Sequence, residues 1–558
     1  MVTRHKQIAV GAGVVACVAL VGWFTFPVLT VLTLMLLTLT TVYGAWYRRK
    51  RAGSAALVAR WTDKAKKHHG VAHFWAILRV SSWWSLRRRA RVLRPSLHGQ
   101  TWWARWRQTP ITQLGTRVIR SGWLWVMSSV EEHSITLGGP RQGKSGRLAN
   151  TILDAPGAVL VTSTGSDLVR NTADLRAKLG PVHIFNPSNI GGLASTLGFN
   201  ILGGCENPRT ASERAADLLS ATPLAQGHKE QEWVERATEA LSAFMHAAAI
   251  SGATMHHVQR WVADPDAAIK PVLGILRNSP EPAIAHQALQ FFKLGRPQSS
   301  VCMTITPALR WLADPVTVAT VTTGHFDVAR FLAERGTIYL LAEKDGPIAP
   351  LITAFAGHIT RTARRLADQQ PFERLEPAFT MVPDEAVSIC PLPIPSWSAD
   401  LGKRNITMHI GAQSFSQLQD RWGEKGAGTL LTNCATIMVF GGTKDPAGLN
   451  AFATLAGGLL TPAQIQQLPP LHAVVFRNGM LPVVGRPQMV WQRPDHKAAA
   501  SRVVWDTRLA RIGAICRAPF RLALTPRRTP ARQPMAALPA GGAALREHAQ
   551  LLEQHGLR

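Results

Sequence analysis

The chain has 558 residues, which is enough for roughly two to four domains. It has 62 lysines and arginines against 34 acidic residues, and the resulting formal net charge of +28 indicates a polyanionic partner, such as nucleic acid or an anionic lipid surface. The six cysteines include no C-x-x-C pair, which argues against a zinc site or a disulfide framework and is typical of a reducing compartment.

The first fifty residues predict a membrane hairpin. No charged residue occurs from residue 7 to residue 47, and Pro27 divides this apolar stretch into two spans, about 8–24 and 27–46, each long enough to cross a bilayer. Basic residues flank both outer ends, which predicts a multi-pass protein of the cell membrane with both termini in the cytoplasm. A cleaved signal peptide is the alternative, but no A-x-A-like site separates the two apolar runs.

Residues 51–115 form a basic, tryptophan-rich segment directly after the predicted hairpin. Between residues 48 and 107 the one acidic residue is Asp63. Basic side chains alternate there with Trp61, Trp75, Trp83, Trp84, Trp102, Trp103 and Trp106. This composition next to a membrane span is typical of a segment that binds anionic lipid headgroups. Contact with DNA is the alternative, because basic and aromatic side chains together also suit single strands.

A phosphate-binding loop follows this segment. The residues that match the pattern G-x-x-x-x-G-K-[ST] are Gly138, Gly139, Pro140, Arg141, Gln142, Gly143, Lys144 and Ser145. The apolar run 134–137 predicts a strand before the loop, and 145–153 predicts a helix after it, which is the context that the motif requires. We expect backbone N–H groups to surround the phosphates of ATP, Lys144 to reach the terminal phosphates and Ser145 to bind Mg²⁺. The alternative is a chance glycine-rich turn.

Strand and helix patterns alternate after the loop. Residues 157–162 and 182–185 predict short buried strands, with a helix at 167–179 between them. This alternation predicts an α/β fold with a parallel sheet and right-handed crossovers. Two strongly helical stretches follow, at 211–221 and 230–250, and the second carries its apolar residues at three- to four-residue spacing.

These stretches together resemble the TraG-like coupling proteins of conjugative type IV secretion, in particular their actinobacterial branch. The segments that carry the resemblance are GGPRQGKS, GAVLVTSTGSDLVRNTADLR, VHIFNP, GFNIL and EQEWVERATEAL. The resemblance implies a RecA-like P-loop ATPase domain that is interrupted by an all-α domain and preceded by two membrane spans. One departure is Gly165-Ser166-Asp167, where the family usually has a Lys-Pro-Asp turn. Whatever that lysine does is absent here or supplied elsewhere.

An all-α insert is predicted at 253–332, because helix-forming residues are separated there only by short proline-containing breaks. By resemblance this insert faces away from the membrane and helps to select the substrate. The predicted division of the chain is therefore 1–50 for the hairpin, 51–115 for the juxtamembrane segment, 116–252 and 333–492 for the two halves of the RecA-like ATPase domain, 253–332 for the insert, and 493–558 for a basic, disordered tail.

A Walker B pattern lies in the second half of the ATPase domain. The apolar run 378–382 predicts a strand that leads through Pro383 to Asp384 and Glu385. We expect Asp384 to hold Mg²⁺ and Glu385 to orient or deprotonate the attacking water. Pro383 has no N–H group to donate, so a strand tolerates it only where the ladder does not need that donor.

Two further candidates lie around the next predicted strand, 407–412. Gln413 matches a glutamine that the family has close to the γ-phosphate, where it senses hydrolysis; the alternative is a polar residue at a helix N-terminus. Arg404, or failing that Lys403, is the candidate for an arginine that acts on the nucleotide of a neighbouring subunit. A solvated surface arginine is the alternative. The remaining patterns are a strand at 436–440, a helix at 445–456 and a hairpin of 473–476 with 481–484.

These features predict a membrane-anchored ATPase that recruits a DNA–relaxase substrate to a type IV secretion channel and drives conjugative DNA transfer. The expected partners are relaxase-bound single-stranded DNA, the relaxase, the channel proteins and anionic lipids. An arginine supplied in trans implies a closed ring, which we take to be a homo-hexamer. The alternatives are an FtsK-like double-stranded DNA pump, which the basic low-complexity C-terminal region argues against, and a non-hydrolysing docking platform, which Glu385 argues against.

Overall fold

The computed structural model of the chain describes residues 27–52, 70–222, 231–322, 324–344 and 346–499. The chain divides into two units, Met1–Lys497 and Ala498–Arg558. Apart from residues 498 and 499, the second unit lies outside the described residues, and so does most of the tail that we predicted to be disordered.

Eleven strands form two sheets within the described ranges. They are β1 (Gly115–Ser121), β2 (Leu124–Ser129), β3 (Ser134–Leu137), β4 (Val159–Ser163), β5 (Val182–Phe185), β6 (Thr337–Leu341), β7 (Phe379–Pro383), β8 (Ile406–Ala412), β9 (Thr436–Phe440), β10 (Ala473–Arg477) and β11 (Val483–Gly485). Strands β1 and β2 pair with each other as an antiparallel hairpin. The other nine form one sheet in the order β11-β10-β9-β3-β8-β7-β4-β6-β5.

The large sheet is parallel from β9 to β5, and its β9 edge is extended by the antiparallel strands β10 and β11. The side chains of β3, β4, β6, β7 and β8 are buried along the whole length of each strand. Continuous apolar burial is expected where helices cover both faces of a parallel sheet. The α/β fold and the C-terminal hairpin that we predicted are both present.

Twenty α-helices occur among the described residues before position 494. They are α1 (Pro27–Ala52), α2 (Phe74–Val80), α3 (Trp83–Leu93), α4 (Trp102–Gln108), α5 (Lys144–Asp154), α6 (Asp167–Arg176), α7 (Pro208–Ser220), α8 (Gln231–Ser251), α9 (Met255–Ala263), α10 (Pro265–Leu276), α11 (Pro282–Phe292), α12 (Pro297–Ile305), α13 (Pro315–Thr322), α14 (Val328–Ala333), α15 (Ala349–Asp368), α16 (Ala386–Ile389), α17 (Ile394–Trp397), α18 (Phe415–Asn433), α19 (Pro446–Leu455) and α20 (Pro462–Gln466).

Helices α7 to α14 lie between β5 and β6 in the chain, without a strand among the described residues of that stretch. Several of the proline-containing breaks in the sequence are helix starts, because proline is favoured in the first turn, where its missing N–H is not needed. Helix α10 is an example: the side chain of Asp264 accepts a hydrogen bond from the N–H of Ala267, and Pro265 follows the cap. Phe244 of α8 packs against Trp261, Phe291 and Phe292, which joins α8, α9 and α11 in one core.

The predicted location in the cell membrane is wrong, because no described helix is both long and apolar enough to cross a bilayer. Helix α1 covers the second predicted span and ends in four consecutive basic residues before Ala52. The first predicted span, 8–24, lies outside the described residues.

The basic, tryptophan-rich segment folds in its described part into α2, α3 and α4. Trp106 packs against Trp83, Trp84 and Trp102, with ring centroids 5.1 to 5.5 Å apart, and the guanidinium of Arg87 lies over the Trp106 ring at 4.7 Å. These tryptophans therefore bind one another as well as facing solvent, and they hold α3 and α4 together.

Candidate nucleotide-binding and catalytic site

Three neighbouring parallel strands bring the predicted site residues together. The phosphate-binding loop follows β3, Gln413 follows β8, and the Asp384–Glu385 pair follows β7. The carboxyl ends of parallel strands lie at the same edge of a sheet, and in open α/β sheets ligands bind outside that edge. Residues far apart in sequence therefore converge at one place.

The loop turns sharply into α5 at Gly143. Gly143 is the N-cap of that helix and has φ 99°, a left-handed conformation that L side chains rarely adopt. A Cβ there would also lie 2.8 Å from Cε of Met489 and 2.9 Å from Cδ2 of Leu471, so two constraints favour glycine. Within the loop, the N–H of Gly139 donates to Oε1 of Gln142 over 2.7 Å, which satisfies one of the donors that phosphate would use.

Lys144 lies between the two acidic residues of the Walker B pattern. Its Nζ forms an ion pair with Oε1 of Glu385 and lies 3.4 Å from Oδ1 of Asp384. The Lys144 side chain is only 8% exposed, so water screens these contacts poorly. One buried cation therefore faces two carboxylates, and this part of the site is short of positive charge.

Asp384 has one oxygen with a hydrogen bond and one without. Its Oδ2 accepts from Oγ of Ser145 over 3.1 Å, whereas its buried Oδ1 accepts no hydrogen bond. Burial raises the pKa of Asp384 above its usual value; Lys144 and the Ser145 hydroxyl oppose this increase, and the neighbouring Glu385 adds to it. A buried carboxylate oxygen without a donor is a position that a cation fits.

These residues fit a magnesium ion. Mg²⁺ prefers hard oxygen ligands and is commonly bound in proteins by one or two carboxylates together with substrate phosphates. Asp384 and the Ser145 hydroxyl supply such oxygens. The observation that supports the fit is the buried Oδ1 of Asp384, which accepts no hydrogen bond although Nζ of Lys144 lies 3.4 Å away. In the described residues no group of three or more His, Cys, Asp or Glu side chains forms a separate metal site.

Glu385 is oriented by an unusual backbone conformation and by Gln413. Its φ of 55° and ψ of 39° place it in the left-handed region, where it precedes α16. Nε2 of Gln413 donates to both carboxylate oxygens of Glu385, each over 3.2 Å. The cap of α18 is Ser414, whose side chain accepts from the N–H of Gln417, so Gln413 is not needed as a helix cap. Gln413 is instead a direct partner of the second acid.

Arg404 is not brought to this site. It ends the short 3-10 helix before β8, at the opposite edge of the sheet from Gln413, which follows the same strand. Its side chain is 9% exposed and binds two carboxylates of its own chain: Nε lies 2.5 Å from Oδ1 of Asp368, and Nη1 lies 2.6 Å from Oδ1 of Asp400. The alternative candidate Lys403 is more exposed and pairs with Asp400 over 2.9 Å.

Several contributors to the site were not predicted from the sequence. A Cβ on Gly411 of β8 would lie 2.5 Å from Oδ1 of Asp384, so glycine allows that carboxylate to approach the strand. A glycine in an otherwise apolar strand is a sign of such a close approach. The packing of Leu471 and Met489 on Gly143 has no local sequence signal, because these residues are more than 300 positions away.

Comparison with known proteins agrees with this geometry. The family described as "Type IV secretory system Conjugative DNA transfer" matches residues 99–458. The plasmid coupling protein TrwB in complex with ADP and Mg²⁺ has 20% identity and a TM-score of 0.52, with 67% of this chain and 94% of that chain covered. TrwB in complex with the non-hydrolysable GTP analogue GDPNP has 20% identity and a TM-score of 0.50, with coverages of 65% and 88%.

At these identities the likeness to TrwB shows the fold alone, a mixed α/β fold of the kind that TrwB has. A comparison with curated protein sequences finds no similar one. The family match covers well over half of the chain, including the loop, the Asp384–Glu385 pair and Gln413. The chain therefore belongs to the type IV secretory system conjugative DNA transfer family.

Proposed function

We propose that this chain is an ATP-hydrolysing coupling protein that uses Mg²⁺ and drives DNA into a type IV secretion channel. The observation that carries this proposal is the contact of Lys144 with both Asp384 and Glu385, while Gln413 donates to Glu385. A protein that only binds nucleotide has no need for a second acid that is held in place by its own amide donor. Family membership and the nucleotides bound in the TrwB structures support the same conclusion.

The chain's residues divide the chemistry between them. In hydrolysis the oxygen of water bonds to the γ-phosphorus, the bond to the bridging oxygen of ADP breaks, and one proton of the water is lost. Mg²⁺, when bound, neutralises charge on the phosphates. Lys144 would leave Glu385 to bind the terminal phosphates, which frees the Glu385 carboxylate to orient the water and accept its proton. Gln413 keeps Glu385 in position during this exchange.

The ion pair between Lys144 and Glu385 also gives the site a resting arrangement. While Lys144 holds Glu385, the acid is not available as a base, so water is not activated before phosphate arrives. The hydrogen bond from Gly139 to Gln142 has a similar effect on the loop, because it occupies a donor that the phosphate needs. Nucleotide binding is then the step that assembles the catalytic arrangement.

The partners follow from charge and family. A formal net charge of +28 suits DNA, and the family is one of conjugative DNA transfer. We propose that the DNA is single-stranded and relaxase-bound, that the chain assembles as a homo-hexamer, and that the basic, tryptophan-rich surface of α3 and α4 binds anionic lipid headgroups. Whether Arg404 or Lys403 acts on a neighbouring subunit stays a prediction.

ATP turnover by the purified full-length chain tests the enzymatic part. Wild type should hydrolyse ATP faster when DNA is added, and Lys144→Ala and Glu385→Gln should each abolish turnover. Glu385→Gln should still bind nucleotide, because only the base is lost. Matched controls are Lys178→Ala and Glu424→Gln, which change exposed side chains outside the site. Undiminished turnover by Lys144→Ala would refute the hydrolytic mechanism.

A mating assay tests the coupling role. A donor cell in which the gene is replaced by the Lys144→Ala or Glu385→Gln allele should transfer no DNA, whereas the Lys178→Ala allele should transfer normally. Normal transfer by both site alleles would show that the site does not power conjugation, even if the purified protein hydrolyses ATP.

A further inference from the structure

A segment near the C-terminal end of the described chain packs along the helix that follows the phosphate-binding loop. Residues 487–493 contact α5 at three positions spaced four residues apart: Gly146, Asn150 and Asp154. Positions four apart lie on one face of a helix, so the segment follows that face for two turns. Nothing in the Walker motifs requires this contact.

Each of the three contacts is specific. The Asn150 amide donates to the backbone carbonyl of Gln488, and the Arg493 guanidinium lies 2.6 Å from Oδ1 of Asp154. At the first position, a Cβ on Gly146 would lie 2.7 Å from Cη2 of Trp491, so the six-membered ring of Trp491 rests on the glycine backbone. The flanking hydrogen bond and ion pair fix the segment, and the ring position follows from them.

The Trp491 ring combines two properties that do not fit a core residue. It rests against Gly146, which directly follows the Mg²⁺-binding candidate Ser145, yet Trp491 is 47% exposed. An indole that contacts the helix after the phosphate-binding loop and keeps about half of its surface exposed can stack on a planar ligand that binds there. Met489 and Leu471 over Gly143 add an apolar wall beside it.

The ring is also on the correct side of the helix for a nucleoside. Leu148 approaches Gly411 beside Asp384, and Leu148 is two residues, or about 200° of helix rotation, from Gly146. The end of the site that holds Lys144, Glu385 and the terminal phosphates therefore lies on one side of the α5 N-terminus. Trp491 lies on the other side, where it can contact the nucleoside end of a nucleotide whose terminal phosphates meet Lys144.

We propose that Trp491 is the stacking platform for the base of the nucleotide. This inference rests on the proposed nucleotide binding and adds a contact residue to it. Stacking on an indole tolerates different bases, because every base has an aromatic face. Trp491 should therefore contribute to the binding of adenine and guanine nucleotides alike, and it should not contribute to the binding of a phosphate chain that carries no base.

The test compares a nucleotide with a phosphate chain that lacks base and sugar. Binding of a non-hydrolysable ATP analogue and of inorganic tripolyphosphate, each with Mg²⁺, is measured by calorimetry on the full-length chain. Trp491→Ala should weaken binding of the analogue roughly fivefold to a hundredfold. It should leave tripolyphosphate binding unchanged, and Trp491→Phe should retain most of the analogue affinity because it keeps an aromatic face. The matched control is Trp123→Ala, which removes a 93% exposed indole in the β1–β2 turn.

The outcomes separate this inference from the proposed function. Equal weakening for both ligands in Trp491→Ala would show that the ring only supports the loop, and unchanged binding of both would show that no base stacks there; either result overturns the platform. If wild type binds neither ligand, the proposed nucleotide binding fails and the platform with it. Unchanged tripolyphosphate binding also shows that Trp491→Ala is folded.

Discussion

The parallel sheet has a carboxyl edge and an amino edge, where its strands end and begin. Each holds one buried basic side chain between two carboxylates, but the charge around these groups differs. At the carboxyl edge, Lys144 alone faces Asp384 and Glu385. At the amino edge, Arg404 faces Asp368 and Asp400. Further basic side chains, Arg364 and Lys403, also bind Asp400 there. The carboxyl edge is thus short of positive charge, and the amino edge is not.

The pKa values of Asp384 and Asp400 differ in the way that the positive charge around them predicts. Burial raises the pKa of Asp384, and Lys144 offsets this only in part. Burial acts to raise the pKa of Asp400 as well, but hydrogen bonds from Lys403 and Arg404 and the attraction of Arg364 lower it overall. A cluster whose carboxylates are matched by basic side chains stabilises the fold. A cluster with fewer basic side chains than carboxylates can bind a further cation. We expect changes at the carboxyl edge to affect turnover and changes at the amino edge to affect stability.

Lys144→Ala gives the largest expected effect. It should reduce ATP turnover by about a hundredfold or more, because the charge that develops on the terminal phosphates loses its cation. The thermal unfolding temperature should fall as well, because Asp384 and Glu385 lose their shared buried cation, so turnover is compared per folded molecule. A large fall in stability with turnover per folded molecule retained would reverse the roles of the two edges.

Arg404→Ala should reduce the free energy of unfolding by about 1–3 kcal/mol, because Asp368 loses its guanidinium partner, whereas Asp400 keeps Lys403 and Arg364. Urea denaturation measures this change, and turnover is compared at a temperature where both proteins are folded. Arg330→Ala is the control, because this exposed arginine pairs only with Glu334 one helical turn away and should change stability by no more than about 0.5 kcal/mol. Lost turnover with unchanged stability would instead support an Arg404 that acts on a neighbouring subunit.

His409 lies in β8, the strand that joins the two edges, and makes stability depend on pH. Burial lowers the pKa of His409 to about 3, with smaller effects of Arg147 and His133. His409 therefore stays neutral in the folded state at a pH where it is protonated in the unfolded state, below about 6.5. The stability that is present above that pH is lost as pH falls towards 3. His409→Asn should reduce the slope of unfolding free energy between pH 6 and 4 by about 1.4 kcal/mol per pH unit. The exposed His256→Asn is the matched control, and an equal slope in wild type and His409→Asn would contradict the assignment.

Asp384→Asn gives the smallest expected change in stability, and its sign is informative. The pKa of Asp384 is higher in the folded state than in the unfolded state. Asp384 therefore contributes fully to the free energy of unfolding only below its unfolded-state pKa, and this contribution is lost as pH rises through its folded-state pKa. At pH 8 the variant without nucleotide should therefore be more stable than wild type, and the gain should shrink in acid. Mg²⁺ should raise the unfolding temperature of wild type and not that of the variant.

The sequence predicted several elements of the second half of the predicted ATPase domain and of the predicted all-α insert closely. The strand at 436–440 has the same bounds as β9, and the prolines that we took as breaks open helices α10, α12 and α13. These features depend on local apolar patterns and on proline, which act over a few residues. The loop and the Asp384–Glu385 pair were predicted from their sequence patterns, and the place of Gln413 near the γ-phosphate was predicted from the resemblance.

What could not be predicted depends on distances across the fold. The pairing of Lys144 with Glu385, the close approach of Asp384 to Gly411 and the contact of Trp491 with Gly146 each join residues that only strand order brings together. A single arginine among 62 basic residues could not be identified as buried and ion-paired from its neighbours in sequence. The predicted membrane location depended on the apolar runs and their basic flanks, and no described helix is both long and apolar enough to cross a bilayer.

Glu385, the proposed catalytic acid, has a left-handed backbone conformation that depends on the folded sheet around it. A glutamate in that conformation is strained by about 1–3 kcal/mol and persists only where its surroundings impose it. The N–H of Asp384 bonds to the carbonyl of Thr162 in β4, so the strand on one side and Gln413 on the other hold the turn. A short peptide with the same Asp-Glu sequence would relax into ordinary extended or helical backbone and lose this side-chain direction. Local loosening of the β4–β7 pairing should therefore abolish the proposed hydrolysis well before the chain unfolds.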